Sequence, residues 1–226
     1  LISILVHAGK WHGEQEVVTN TVEGGIHRQT YADTLDRVTR LASSFSLYGI
    51  QQGDRVGTLG WNTHRHLEVW YAISGLGAIC HTVNPRLFPG QIEFIVNHAE
   101  DRLLVVDLPF VDLVAELLPK LPSVERVIVM TDEEHMPDAS TLPVAAISYE
   151  AFLSAGKHTF DWPVLDDNAA SSLCYTSGTT GDPRGVLYSH RSSVLHAYAI
   201  CGKDVFDLSC NDVILMLVPM FHANSW

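Results

Sequence analysis

The chain alternates short apolar runs with longer amphipathic stretches, and this alternation constrains its fold more than any other feature of the 226 residues. Continuous apolar runs of about four to eight residues are typical of strands that are buried on both faces of a parallel sheet. The stretches between them are long enough for crossover helices. Strands are predicted over residues 55–60, 78–83, 103–106, 126–130, 172–176 and 213–218. We therefore predict an α/β fold with layered, largely parallel sheets flanked by helices.

The helix whose boundaries are clearest in the sequence begins after Thr30. Thr30 can act as an N-cap, and Asp33 three residues later completes the spacing of a capping box. Gly49 suits the C-terminus of this helix because glycine adopts left-handed backbone angles without strain. The apolar stripe of the helix consists of Ala32, Leu35, Val38, Leu41, Ala42 and Phe45. Further helices are predicted over residues 64–76, 89–99, 110–118, 148–156 and 189–200, and a solvated acidic loop over 131–143.

The run from Tyr175 to Gly185 reads YTSGTTGDPRG and begins in the last two residues of the predicted strand 172–176. Its glycines and small hydroxylated residues let the backbone bend tightly, so that N–H groups and hydroxyls can point at an anion. The spacing differs from that of P-loop NTPases, because Gly178 and Gly181 are three apart and no Lys-Ser or Lys-Thr pair follows. The run is predicted to bind phosphate in a different nucleotide chemistry; by composition alone it could also be a flexible connector.

This run resembles the signature loop of adenylate-forming (AMP-binding) enzymes, the superfamily of acyl-CoA synthetases, peptide-synthetase adenylation domains and luciferases. Residues 219–222 (PMFH) resemble the next motif of the superfamily, and residues 29–33, 53–56 and 83–87 resemble its N-terminal lobe. Residues 187–192 and 222–226 look most like the ligases for medium-chain fatty acids and for 3-methylmercaptopropionate. The resemblance implies that residues 1–226 are the N-terminal portion of the large AMP-binding domain, without the rest of that domain or the C-terminal domain.

The resemblance implies an ATP-dependent acyl-CoA ligase that uses ATP, Mg²⁺ and CoA. A short or medium aliphatic carboxylate, including a methylthio-substituted one, would form an acyl-adenylate and then a thioester with CoA. The alternatives are another adenylating enzyme, such as an aryl-CoA ligase or a carrier-protein loading domain, and a noncatalytic N-terminal fragment. The fragment alternative arises because the motifs that bind adenine and ribose, and the C-terminal lysine, have no match here. We therefore expect these residues alone to be inactive.

Site residues are carried over from the family motifs position by position. Arg184 stands where the family usually has lysine. It keeps the positive charge, but its planar guanidinium group differs from an ammonium group in hydrogen-bonding geometry. His222 would line the acyl pocket near the reactive carboxylate, and Trp226 would line the same pocket if the segment is helical. Without the resemblance, the same two residues could be structural. Thr176 would also approach Mg²⁺. The residues expected to hold the β- and γ-phosphates are Thr176, Ser177, Gly178, Thr179, Thr180 and Gly181.

The histidines and serines outside these motifs predict no other chemistry. His64 and His66 are two apart, His7 and His12 are five apart, and no H-E-x-x-H motif or combined Cys/His ligand spacing is present. No Gly-x-Ser-x-Gly nucleophile elbow is present. His190 and Arg191 are predicted to be surface or capping residues at the start of a helix.

The net charge of −12 argues against nonspecific binding to nucleic acid or to an anionic membrane, because binding to either of these depends on a basic protein surface. A polyanion must therefore be bound locally. No apolar run reaches the roughly 18 residues of a membrane-spanning helix. The partners expected are a small carboxylic acid, ATP and CoA, and a homodimer is implied by the resemblance only. The cysteines lack a C-x-x-C pair and are predicted to be buried thiols of a cytoplasmic protein: Cys80, Cys174, Cys201 and Cys210.

Overall fold

A computed structural model describes residues 1–176 and 183–222. The helices are α1 (Ile2–Trp11), α2 (Tyr31–Tyr48), α3 (His64–Gly75), α4 (Pro89–Ala99), α5 (Val111–Leu117), α6 (Tyr149–Ser154) and α7 (His190–Cys201). The strands are β1 (Glu16–Asn20), β2 (Ile26–Thr30), β3 (Arg55–Leu59), β4 (Ile79–Thr82), β5 (Leu103–Val106), β6 (Arg126–Val129), β7 (Ala145–Ser148), β8 (Ala170–Thr176) and β9 (Arg184–Ser189). Short 3₁₀ turns cover Leu108–Phe110, Leu118–Lys120 and Ala139–Thr141.

Seven strands form one sheet in the order β7-β6-β5-β3-β4-β8-β9. Neighbouring strands from β7 to β8 are parallel, and only β9 joins its neighbour, β8, in the antiparallel sense. Strands β1 and β2 form a separate antiparallel hairpin. The predicted α/β fold with a largely parallel sheet is confirmed, and five of the six predicted strands are present as β3, β4, β5, β6 and β8.

The sheet separates two apolar cores because successive side chains of a strand point to opposite faces. In β5, Leu103 and Val105 pack into the core that holds α2, α3 and α6, whereas Leu104 and Val106 pack into the core that holds α4 and α5. All four side chains are at most 1% exposed. This burial on both faces explains why the strand is a continuous apolar run in the sequence.

Helix α2 begins and ends where the sequence predicts. The Thr30 hydroxyl accepts a hydrogen bond from the Asp33 amide at 3.1 Å, and the Asp33 carboxylate accepts one from the Thr30 amide at 2.9 Å. Gly49 has a φ of 98° at the C-cap. Of the predicted stripe, Ala32 is exposed and Leu35 is partly buried, whereas the four later residues are fully buried.

The predicted strand Val213–Val218 does not form. Residues 213–218 have no strand partner among the described residues, and their side chains are between 44% and 98% exposed. Instead of pairing with a strand, the segment has two of its carbonyls bonded by the Asn62 side chain. Apolar composition alone therefore did not predict strand pairing correctly here.

Two predictions about burial are wrong in part. Cys80 and Cys174 are buried as predicted, but Cys201 and Cys210 are exposed, because α7 and the segment after it have no covering layer in the described part of the chain. His190, predicted at the surface, is only 5% exposed, and burial lowers its pKa to about 4. The N-cap of α7 is Ser189, whose hydroxyl accepts the Ser192 amide, so His190 is not needed as a cap and packs inward.

Candidate active site

The carboxyl ends of the parallel strands meet at one edge of the sheet, which we call the carboxyl edge. Strand β3 is followed by α3 on one face, and its neighbour β5 is followed by α5 on the other face. Ligands of open α/β sheets bind at such a reversal, outside the carboxyl ends of the strands. The loops after β3, β4, β5 and β8 are therefore the expected place for a site.

The loop after β3 is fixed to the loop after β5. The Trp61 amide donates a hydrogen bond to the Asp107 carboxylate at 2.6 Å, and the Trp61 ring lies 5.2 Å from the Phe110 ring. Asp107 is 1% exposed, and burial raises its pKa to about 7 although the Trp61 amide and the Arg65 charge oppose this shift. A buried carboxyl group thus fixes Trp61 and its contact with Phe110 between the ends of β3 and β5.

The Asn62 side chain holds the segment that contains the PMFH motif. Its amide nitrogen donates to the carbonyls of Met216 and Val218 at 3.1 and 2.8 Å, and its oxygen accepts the Met220 amide at 2.7 Å. The Thr82 hydroxyl, at the end of β4, donates to the Phe221 carbonyl at 3.3 Å. Side-chain bonds from the loop after β3 and from the end of β4 therefore dock this segment on the carboxyl edge.

His222 is the last described residue of the docked segment. It is exposed, and its amide donates to the Pro219 carbonyl at 2.9 Å. The preceding residues Met220 and Phe221 are 6% and 3% exposed, so the backbone before His222 is fixed by packing as well as by hydrogen bonds. The backbone of His222, whose side chain is predicted to line an acyl pocket, thus directly follows the residue that is bonded to the end of β4.

Thr176 and Arg184 flank the predicted phosphate loop at the same edge. They are paired across β8 and β9, and both are exposed. Cys174 pairs with Thr82 of β4, so Thr176 lies two residues, about 7 Å, beyond the point where β4 ends. The two strands thus bring Thr176 and Arg184 to the side of the edge where the PMFH segment docks.

Tyr175 braces the strand just before Thr176. Its hydroxyl lies 2.7 Å from Nδ1 of His98 on α4, and its ring lies 5.1 Å from the ring of His81. His81 is in turn 2.6 Å from the buried Asp101 carboxylate. Burial raises the pKa of Tyr175 to about 12, and the nearby Asp101 adds to the shift, so the phenol is neutral at physiological pH.

The structure therefore places Thr176, Arg184 and His222 at one edge of the sheet. The other predicted site residues lie outside the described residues: Ser177, Gly178, Thr179, Thr180, Gly181 and Trp226. Sequence reasoning missed Asn62, Thr82 and Asp107. Their signal was their position, since each is a polar residue at or just after the end of a predicted parallel strand.

The residues present fit a magnesium-bound nucleoside triphosphate. The exposed Thr176 hydroxyl is the hard oxygen ligand that Mg²⁺ prefers, and Mg²⁺ is usually held by few protein groups together with substrate phosphates. The exposed Arg184 guanidinium can pair with phosphate oxygens. Within residues 1–176 and 183–222, no group of three or more His, Cys, Asp or Glu residues could hold a metal ion by itself.

Comparison with known proteins gives consistent matches along the chain. Residues 6–226 match the family model described as AMP-binding enzyme. A 3-methylmercaptopropionyl-CoA ligase of Ruegeria lacuscaerulensis is 46% identical over 100% of this chain and 42% of its own length. A medium-chain-fatty-acid–CoA ligase of Ectopseudomonas oleovorans is 45% identical over 99% of this chain and 41% of its own length.

Among solved structures, a long-chain-fatty-acid-CoA ligase from Archaeoglobus fulgidus has the same fold, with a TM-score of 0.83 at 24% identity. The match covers 98% of this chain and 42% of the other. The chain thus spans about two fifths of the length of the relatives it matches. No helix of the described residues is long and apolar enough to span a bilayer.

Proposed function

The chain belongs to the AMP-binding enzyme family, and on this premise we propose that the whole protein is an ATP-dependent acyl-CoA ligase for a short or medium aliphatic carboxylate, including a methylthio-substituted one. The observation that carries the proposal is the docking of the PMFH segment on the carboxyl edge, beside the strand that ends in Thr176. The Ruegeria and Ectopseudomonas relatives are named for acids of this class.

In the first half-reaction, a carboxylate oxygen would attack the α-phosphorus of ATP while the bond to the β-phosphate oxygen breaks and pyrophosphate leaves. Two anions must approach each other, so positive charge at the site lowers the barrier. Arg184 would supply that charge to the phosphates from the start of β9, and the Thr176 hydroxyl would bind a phosphate oxygen or the metal. Mg²⁺ bound with the nucleotide would neutralise part of the phosphate charge, with Thr176 as its ligand from this chain.

His222 would position the carboxylate, since its backbone is fixed by the bonds from Asn62 and Thr82 and its side chain is exposed at the edge. A fixed backbone favours reaction because the reacting groups are held in place before the bond forms. In the second half-reaction, the CoA sulfur would attack the acyl carbon and AMP would leave. Residues 177–182 would complete the phosphate site, and Trp226 would line the acyl pocket.

The 226 residues would be the N-terminal portion of the large domain, and they would not adenylate by themselves, since they span only about two fifths of the length of their relatives. The whole protein would be a cytoplasmic enzyme, because buried free thiols such as Cys80 and Cys174 are typical of a reducing compartment. It would form a homodimer, which sedimentation of the natural full-length protein would test.

Carboxylate-dependent ATP–pyrophosphate exchange by the natural full-length protein tests the activity. The acids compared are 3-methylmercaptopropionate, octanoate, acetate and benzoate. We expect exchange with the aliphatic acids, and Arg184→Gln should lower it by about 10-fold to 100-fold because a charge-assisted hydrogen bond is lost. Lys120→Gln is the matched control: Lys120 is exposed and lies just before β6, at the opposite end of the strands. Exchange with benzoate alone would favour an aryl-CoA ligase, and no exchange with any acid would contradict the ligase proposal.

A further inference from the structure

Tyr175 lies beside both of the described residues that flank the predicted phosphate loop. It precedes Thr176 on β8, and it is paired across the sheet with Gly185, which follows Arg184 on β9. Thr176 and Arg184 are themselves a cross-strand pair, so they belong to the same short ladder as Tyr175. A displacement of the Tyr175 ring would therefore be felt at both ends of the loop.

The Tyr175 ring is held from three sides by different elements. Its hydroxyl shares a 2.7 Å hydrogen bond with Nδ1 of His98 on α4, and the two rings meet edge-on at 5.8 Å. The ring of His81 on β4 lies 5.1 Å away. A Cβ at Gly185 would lie only 3.3 Å from the nearest ring carbon, so the β9 backbone approaches the phenol closely. These contacts restrict the rotamers open to Tyr175.

The group beneath the Tyr175 ring is fully buried. The side chains of His81 and Asp101 are both 0% exposed, and Nδ1 of His81 lies 2.6 Å from the Asp101 carboxylate. Asp101 in turn lies against β3, because a Cβ at Gly57 would be 2.9 Å from its carboxylate oxygen. Contacts thus run from β3 through β4 and β8 to β9, and they give the phenol ring a fixed support.

Packing alone does not explain the Tyr175 hydroxyl. The ring is partly buried against the core that holds α4 and α5, and a phenylalanine ring would fill the same space. His98 is exposed, so water can replace the bond between the two side chains at little cost in stability. A hydrogen bond depends on direction as well as on distance. Its main effect here is therefore to fix where the ring lies between β8 and α4.

We propose that Tyr175 is a positioning residue that holds Thr176 and Arg184 in place for phosphate binding. This inference rests on the proposed function, in which the phosphates belong to ATP and to pyrophosphate. The run between the two strand ends contains two glycines, and glycine restricts the backbone least. Packing at the strand ends is then the means of ordering the site before the ligand arrives, which reduces the entropy lost on binding.

The test uses three variants of the natural full-length protein. Tyr175→Phe removes the hydroxyl and keeps the ring, His98→Ala removes its partner, and His98→Asn keeps a polar atom near the position of Nδ1. Calorimetric titration with pyrophosphate, and with ATP in the presence of Mg²⁺, measures binding directly. Tyr175→Phe and His98→Ala should each weaken both ligands about 2-fold to 10-fold, the effect of one hydrogen bond. His98→Asn should recover part of the loss.

A double variant, a control and the KM values separate positioning from a general effect on the fold. Tyr175→Phe combined with His98→Ala should lose no more than either single variant, since both remove the same bond. Tyr198→Phe is the matched control, because Tyr198 is 74% exposed on α7 and loses the same hydroxyl. In the exchange assay, the KM for ATP should rise with the loss of binding, and the KM for the carboxylic acid should change less than about 2-fold. Thermal unfolding confirms that each variant is folded.

The outcomes separate this inference from the proposed function. Unchanged binding of pyrophosphate and ATP to folded Tyr175→Phe would overturn the inference. Equal increases in the KM for ATP and for the acid would also overturn it, and so would additive losses in the double variant. Loss of acid-dependent exchange in the parent would contradict the ligase proposal, while the two titrations would still decide the role of Tyr175. A parent that binds neither ATP nor pyrophosphate would overturn both.

Discussion

Replacement of Asp107 by asparagine should remove a specific part of the pH dependence of stability. The side chain is buried beneath Trp61, and asparagine can still accept the Trp61 amide through its oxygen. Burial raises the pKa of Asp107 from its ordinary value of 3.8 to about 7. The folded protein therefore holds the proton more tightly than the unfolded chain, and unfolding releases it between these two pH values.

The sign and size of the effect follow from this difference. The contribution of Asp107 to the free energy of unfolding falls as the pH rises from about 4 to about 7 and is then nearly constant, because this carboxyl group binds fewer protons in the unfolded chain than in the folded protein over that range. Between about pH 5 and about pH 8, this contribution decreases by roughly 2 to 3 kcal/mol. The asparagine side chain does not titrate, so the Asp107→Asn variant should lack this decrease.

Urea unfolding followed by tryptophan fluorescence, at both pH values and for both proteins, measures the difference between the two pH dependences. Other ionisable groups are common to the pair and cancel. Asp112→Asn is the matched control, because Asp112 is an exposed carboxylate five residues away, and it should keep the pH dependence of the parent. If Asp107→Asn also keeps the pH dependence of the parent, Asp107 is ionised at both pH values. The effects of the Trp61 amide and of Arg65 on its pKa would then outweigh the effect of burial.

Two further predictions test the burial of particular residues. Gly156→Ala should lower the free energy of unfolding by about 3 kcal/mol in a denaturation measurement, because a Cβ at this position would overlap the Arg40 carbonyl oxygen of α2. Gly90→Ala is the control, because nothing lies within 4 Å of a Cβ built there, and equal stability of the two variants would refute the close contact at Gly156. Iodoacetamide should label the exposed Cys201 and Cys210 of the folded 226-residue chain before it labels Cys80 and Cys174, because burial shields the latter two thiols and raises their pKa. Peptide mapping measures the rate at each cysteine. Equal rates at all four would contradict the burial of Cys80 and Cys174.

The elements that could be predicted from the sequence are those whose signal is local. Strand β5 is buried on both faces and is therefore a continuous apolar run, and α2 has its capping box and C-terminal glycine within or directly beside its own 18 residues. Strand β9 and residues 213–218 show the limit of such reasoning. Strand β9 is largely exposed and forms because it pairs with β8, whereas the more apolar run 213–218 has no such partner among the described residues.

The candidate site divides in the same way. Thr176, Arg184 and His222 could be named from motifs that are short and contiguous. Asn62 could be noticed only as a polar residue just after a predicted strand, because its partners lie in a segment more than 120 residues further along the chain. Its side chain meets them only when the PMFH segment reaches the carboxyl edge. The position of Asn62 in the sequence indicates that it could belong to a site, but the docked segment cannot be predicted from a local pattern.

In the proposed ligase, the carboxyl edge of the sheet binds the reacting carboxylate and phosphates. A crystal structure of the natural full-length protein with a nonhydrolysable acyl-adenylate analogue and pyrophosphate would locate both ligands. We predict that the adenylate phosphate and pyrophosphate will lie against Thr176, Arg184 and the loop between them, with His222 beside the acyl group. Binding of the analogue at any other part of the sheet would rule out this site.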